Sequence, residues 1–178
     1  MKSFLTNVFY IFLLSLFLSD TAFAQLYRNS EYQFSIEIPD YMEYRTPRGP
    51  NVKMSAYAKD FTPNIVIIVK PSSEISFSND EILMALLLDE EEKLESSTRK
   101  LKFADIVSIS SHEVLYTIWN ETYIRSNLII PVSIYSFEFI TNNKYYYISY
   151  TVKRGTETTY EKMISQSIFS FVDETDWY

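Results

Sequence analysis

The clearest pattern of alternating positions lies at Tyr32–Ile38, where Phe34, Ile36 and Ile38 interleave with Gln33, Ser35 and Glu37. A period of two predicts a strand buried on one face, and Pro39-Asp40 ends it. Pro47, Gly49 and Pro50 predict a loop over 46–51. Val52, Met54, Ala56 and Ala58 then share one face of a second strand, and the β-branched run Asn64–Val69 predicts a third, covered on both sides. A turn over 61–64 would join these two.

The period changes after Ser78. Ser78-Asn79-Asp80-Glu81 has the form of a capping box, and Ile82, Leu83, Leu86 and Leu87 recur at helical spacing. A helix to about Ser97 follows, with Leu94 continuing the stripe. Residues 102–152 return to strand character: Phe103–Ser110, His112–Asn127, Ile129–Thr141 and Tyr145–Val152. A turn is expected near Ser110-Ser111, and a tight hairpin at Asn142-Asn143, since Asn tolerates positive φ. A last helix is expected from about Thr158, where Thr158 and Glu161 form a second possible box. Tyr160, Met163, Ile164, Ile168 and Phe171 would face inward from it.

The N-terminus follows neither pattern. Lys2 precedes the apolar run Val8–Leu18, broken only by Ser15, and Ala22-Phe23-Ala24 supplies small residues for a signal peptidase. The run is shorter than the roughly 20 residues a spanning helix needs. Residues 1–24 therefore read as a signal peptide and 25–178 as one exported domain, periplasmic or secreted. No membrane span is expected after cleavage.

Composition narrows the function. The net charge is −7, which opposes nucleic-acid binding. There is no cysteine, so disulfides, thiol catalysis, thiolate zinc sites and a lipidated cysteine are all excluded. Gly49 and Gly155 are the only glycines, too few and too far apart for a phosphate-cradling loop or a nucleophile elbow. No cofactor is implied.

Strands, a helix, four strands and a closing helix give an α+β fold, a central antiparallel sheet flanked by helices. Tyr27-Arg28-Asn29 followed by the strand Tyr32–Pro39 resembles the opening of PsbP-like domains. Tyr146-Tyr147-Ile148-Ser149-Tyr150 and Ile168-Phe169-Ser170-Phe171 resemble that family's final strand and last helix. The glycine that family members often carry before the long central strands is absent around Ser110–Glu113. The resemblance implies an αβα sandwich and a non-enzymatic binding or assembly role, and assigns no binding residue.

Candidate chemistry is sparse. His112 is the only histidine and is expected to be a polar strand-start residue rather than a catalytic one. Asp89-Glu90-Glu91-Glu92 points around a helix and cannot converge on one cation, and Asp173-Glu174-Thr175-Asp176 is expected to be a frayed acidic end. Tyr116, Tyr135, Tyr145 and Tyr147 could form an aromatic platform for sugar, peptide or protein, or else belong to the core. Met84 and Leu88 project from the main stripe of the first helix and suggest a partner or homodimer surface.

The expectation is an exported, non-catalytic binding or accessory protein of the cell envelope that takes a protein partner or small ligand. Alternatives are a secreted hydrolase whose carboxylates or serines assemble only in the fold, and an immunity or secretion-accessory protein.

Overall fold

Phe34, Ile36 and Ile38 have no exposed surface, as their alternation requires. In the computed structural model, which describes residues 24–59, 62–92, 99–125 and 128–177, they lie on β2 (Phe34–Pro39). This strand pairs antiparallel with β1 (Ala24–Asn29) on one side and with the short β10 (Val172–Asp173) on the other. The predicted signal peptide, save Ala24, lies outside the described residues.

The larger sheet has seven strands in the order β3-β4-β5-β9-β8-β7-β6. These are β3 (Glu43–Tyr44), β4 (Val52–Tyr57), β5 (Asn64–Pro71), β6 (Arg99–Ile109), β7 (His112–Arg125), β8 (Leu128–Thr141) and β9 (Lys144–Lys153). Every neighbouring pair is antiparallel. The meander expected over 102–152 is present. The Asn142-Asn143 turn holds φ of 49° and 60°. Ser110-Ser111 takes the same left-handed geometry, with φ of 47° and 68°, although serine favours it less than asparagine or glycine.

Helix α1 (Asn79–Glu92) begins at the expected capping box: Glu81 Oε2 accepts from Ser78 N at 2.8 Å, and Glu81 N donates to Ser78 Oγ at 3.3 Å. Its predicted extension to Ser97 falls on residues outside the description. Helix α2 (Glu157–Phe169) does not use its expected box. It starts one residue earlier, and the Glu157 carboxylate instead accepts from Gly155 N at 2.6 Å and Ser133 Oγ at 2.7 Å. A tertiary partner on β8 thus replaces the local cap.

The core lies between the two sheets and α2. Ile65, Ile67, Tyr146, Ile148 and Tyr150 on the long sheet meet Phe34, Ile36 and Ile38 on the short one, with Ile164, Ile168 and Phe171 closing the layer. Burial of such side chains contributes ~1.5–3 kcal/mol each. Ser167 fastens the layers, accepting from Tyr150 OH at 3.0 Å and donating to Glu37 O at 2.6 Å. The chain is an α+β sandwich as expected, except that a three-stranded sheet shares with α2 the covering of the long sheet. No helix among the described residues is long and apolar enough to cross a membrane.

Candidate functional site

Alternation divides each strand of the seven-stranded sheet between a core face and an outer face. On β9, Tyr146 and Tyr150 enter the core with no exposed surface, while Tyr145 and Tyr147 turn outward and stay half-buried. Register carries this parity across the sheet: Glu138 pairs with Tyr147, Ser136 with Ser149, and Thr117 with Ser136. The outer face is therefore built from odd positions of β7 and β9 and even positions of β8.

That face holds a small apolar cluster of Trp119, Val132 and Ile134, with Leu101 and Ile130 packed against it. Next to it runs a polar chain. Trp119 Nε1 donates to Thr117 Oγ1 at 2.9 Å, the Thr117 and Ser136 hydroxyls bond each other, and Ser136 bonds the Tyr147 phenol. Tyr145 OH donates to the Glu138 carboxylate, and Tyr123 bonds Thr151. The Arg99 guanidinium stacks 4.2 Å over the Trp119 ring and lies 3.9 Å from the Glu121 carboxylate. Leu115, also outward by parity, is fully buried near where α1 packs against β6 and β7.

Burial pushes the Glu138 carboxyl above its ordinary range, more than the Tyr145 hydroxyl and Arg99 lower it. Burial also raises the phenols of Tyr123, Tyr145 and Tyr147, reinforced at Tyr145 and Tyr147 by Glu138. These tyrosines remain neutral hydroxyls at physiological pH, suited to hydrogen bonding rather than to acting as nucleophiles. Ring faces with fixed hydroxyls, one carboxyl and one guanidinium can recognise a flat or partly apolar ligand carrying polar groups.

The four tyrosines expected in one platform divide into two pairs. Tyr145 and Tyr147 lie on the outer face. Tyr135 pairs with Tyr150 and is buried in the main core, and Tyr116 stacks on Phe137 at 4.8 Å with an interplanar angle of 8°. Burial raises both core-face phenols to about 12, with Glu161 adding to the effect at each. The reason is register: facing partners on adjacent strands share a side, and Tyr135 faces a core residue.

Met84 is 57% exposed on α1, and the Leu88 side chain falls outside the description. His112 stacks on Phe139 at 5.4 Å and lines a shallow cleft with Ile109, Val114, Ile168 and Phe171. The acidic tail is not frayed where it is described. Asp173 is buried, accepting from Lys144 Nζ at 3.1 Å, Tyr146 OH at 3.1 Å and Thr175 N at 3.0 Å. Glu174 pairs with Arg28 at 2.7 Å. The tail is ordered because β10 docks on β2 and brings Asp173 to a lysine 29 residues away in sequence. No group of three or more His, Asp or Glu among the described residues could hold a metal ion.

Sequence reading missed Arg99, Trp119, Tyr123 and Glu138, which join Tyr145 and Tyr147 only through strand register. Their residue types carried no local signal.

No family model matches the chain, and no curated protein matches it in sequence. Solved structures do share its fold. The cyanobacterial PsbP protein (CyanoP) of Synechocystis superimposes with a TM-score of 0.60 at 10% identity, covering 88% of this chain and 95% of that one. A protein of Bacteroides thetaiotaomicron superimposes with a TM-score of 0.55 at 15% identity, covering 84% of this chain. This chain spans about half the length of the Bacteroides protein, 48%. The fold is PsbP-like.

Proposed function

We propose that this chain is an exported, non-catalytic accessory protein of the cell envelope that binds a protein partner or small ligand on the outer face of its long sheet. The observation that carries the reading is the convergence of Trp119, Tyr123, Tyr145 and Tyr147 with Glu138 and Arg99 on one side of three adjacent strands and the edge strand β6. The PsbP-like fold is compatible with an accessory role. Export rests on the features of residues 1–24. Cleavage after Ala24 would retain Gln25, whose side chain donates to Met42 O at 3.0 Å, and the remaining pairing of β1.

A hydrolytic reading requires converging carboxylates, or a base beside an aliphatic hydroxyl that can act as a nucleophile. Glu138 has a phenol as its described hydrogen-bond partner, and Glu121 lies against Arg99. This arrangement favours recognition over general acid–base chemistry.

Affinity capture from the native envelope fraction tests the reading. The Tyr145→Ala, Tyr147→Ala double variant should lose at least ~10-fold of a captured partner or ligand while melting cooperatively, a change equal to about 1.4 kcal/mol. Met84→Glu, on α1, should leave capture intact if the outer face carries binding, and should abolish it if the helix is the partner surface. Equal capture by the double variant and the wild type refutes the assignment to the outer face.

A further inference from the structure

Among the described residues, β7 and β8 outrun both of their neighbours. β6 pairs with β7 only as far as Glu121, and β9 pairs with β8 only as far as Val132. Beyond those limits the described chain continues as a two-stranded arm, Thr122–Arg125 against Leu128–Pro131, held among the described residues by β7–β8 pairing and, at its base, by Arg154 N on Pro131 O. At ~3.3 Å per residue, its four paired positions project about 13 Å.

The arm is apolar where a solvated hairpin would be polar. Ile124 and Ile129 face each other across it and are 75% and 73% exposed. Leu128 is 65% exposed on the opposite side, with Tyr123 nearer the base. An isolated two-stranded hairpin is only marginally stable in water, so these aliphatic side chains gain little from being displayed there.

The base of the arm is basic in a chain whose net charge is −7. β6 begins there with Arg99, Lys100 and Lys102, and β9 ends there with Lys153, followed by Arg154; all five are exposed. Arg154 is fixed to the arm, its backbone N donating to Pro131 O at 3.0 Å and its side chain to Glu121 O at 3.2 Å. The described carboxylates near this collar, Glu121 and Glu157, are both partly buried. Glu121 lies against Arg99, and Glu157 is bonded to Ser133 and Gly155.

We propose that this arm is a peripheral membrane-docking element for an anionic lipid surface. Ile124, Leu128 and Ile129 enter the upper acyl region, Tyr123 sits at headgroup depth, and the collar meets lipid phosphates. Aliphatic tip, a single tyrosine above the base and a cationic base follow the chemical order of a bilayer interface. The arm's length is comparable to the roughly 5–10 Å that interfacial elements penetrate. Among the described residues its backbone edges are open beyond the Arg154–Pro131 bond, which keeps it from going deeper, because unpaired backbone groups are not tolerated in hydrocarbon. A second copy is a poorer occupant, since arm-to-arm pairing would bring two basic collars together. The proposal does not depend on a ligand at the outer face.

The test is co-sedimentation of the purified protein with vesicles of equal parts phosphatidylethanolamine and phosphatidylglycerol, against phosphatidylcholine alone, with all chains compared at the same N-terminus. The wild type should bind the anionic vesicles, and binding should weaken as salt rises. Ile124→Thr with Ile129→Thr, which keeps β-propensity, should lower the partition at least ~10-fold, as should Lys100→Glu with Lys153→Glu. If the first pair fails to fold, Leu128→Ser replaces it. A Leu128→Trp variant reads the arm even where a retained leader also binds lipid: its added fluorescence should shift to the blue and be quenched by brominated acyl chains. An unshifted, unquenched Leu128→Trp signal overturns the proposal. So does undiminished binding by the isoleucine variant at a leader-free N-terminus, or a monomer–dimer change in that variant without vesicle binding, which would assign the arm to a second copy.

Discussion

Both faces of the seven-stranded sheet carry aromatic side chains, and they use them differently. On the core face, Phe34, Phe139, Tyr146 and Phe171 pack edge-to-face and stacked, with centroids 5.0–6.0 Å apart, and the buried carboxylate of Asp173 is saturated with donors. On the outer face, tyrosines are half-buried, hydroxyls form a chain, and Glu138 has fewer partners for its charge. The difference lies in what covers each face. A second sheet and α2 allow the first to be dry and closely packed, whereas the second retains polar groups available for recognition.

The largest expected contrast comes from adjacent residues on one strand. Tyr146→Ala should cost about 3–5 kcal/mol by chemical denaturation, because it leaves a cavity in a close-packed core and removes a donor from Asp173. Tyr145→Ala should cost roughly 1 kcal/mol, near the value of one hydrogen bond. Equal losses would show that the outer face is as closely packed as the core.

Asp173→Ala comes next, at about 3 kcal/mol, since it leaves Lys144 without its buried partner. Burial alone would raise the Asp173 carboxyl, but hydrogen bonds from Thr175 and Lys144 outweigh it and hold the group below the ordinary carboxylate range. With a folded pKa below the unfolded one, the stabilisation is present above the unfolded pKa and lost as pH falls through the folded one. Denaturation midpoints should therefore drop on acidification, and Asp173→Asn should flatten that slope.

Glu138 should respond in the opposite sense. Its folded pKa is raised, so its contribution is fully present below the unfolded pKa and is lost as pH rises through the folded one. Glu138→Gln should remove this second slope and leave neutral-pH stability unchanged or higher. A stability curve that loses the same limb in both variants would erase the electrostatic distinction between the faces.

The smallest effect concerns neither face but the turn joining β6 and β7. Ser110→Asn with Ser111→Gly should raise stability by about 0.5–1 kcal/mol, because both positions hold positive φ that serine disfavours. A loss of stability would indicate that the serine side chains contribute more than their backbone strain costs.

Much of this fold is legible in the sequence. Phe34, Ile36 and Ile38 declared their strand, Ser78 and Glu81 their helix start, and Asn142-Asn143 their turn, because each signal is carried by residues within a few positions of one another. The opposite facing of Tyr145 and Tyr146 was legible for the same reason. Grouping Tyr116 and Tyr135 with Tyr145 and Tyr147 failed, since it depended on which residues of β8 face β7 and β9. Asp173 resembled a loose acidic end until Lys144 came into view. The α2 start at Glu157 depended on Ser133, also remote in sequence.

The amino-acid order alone determined the strand and helix periods, the turns, the lack of thiol and glycine-loop chemistry, and the secretory pattern of the first 24 residues, since all of these depend on local spacing or composition. Tertiary structure decided which tyrosines share a face, that Glu138 and Arg99 join them, that Asp173 is buried, and that Thr122–Arg125 and Leu128–Pro131 extend past the described parts of their neighbours as an arm. Each of these is a relation between strands. Strand register is set by the packing of the whole sheet against its cover, a sum over many distant contacts that no short stretch of sequence contains.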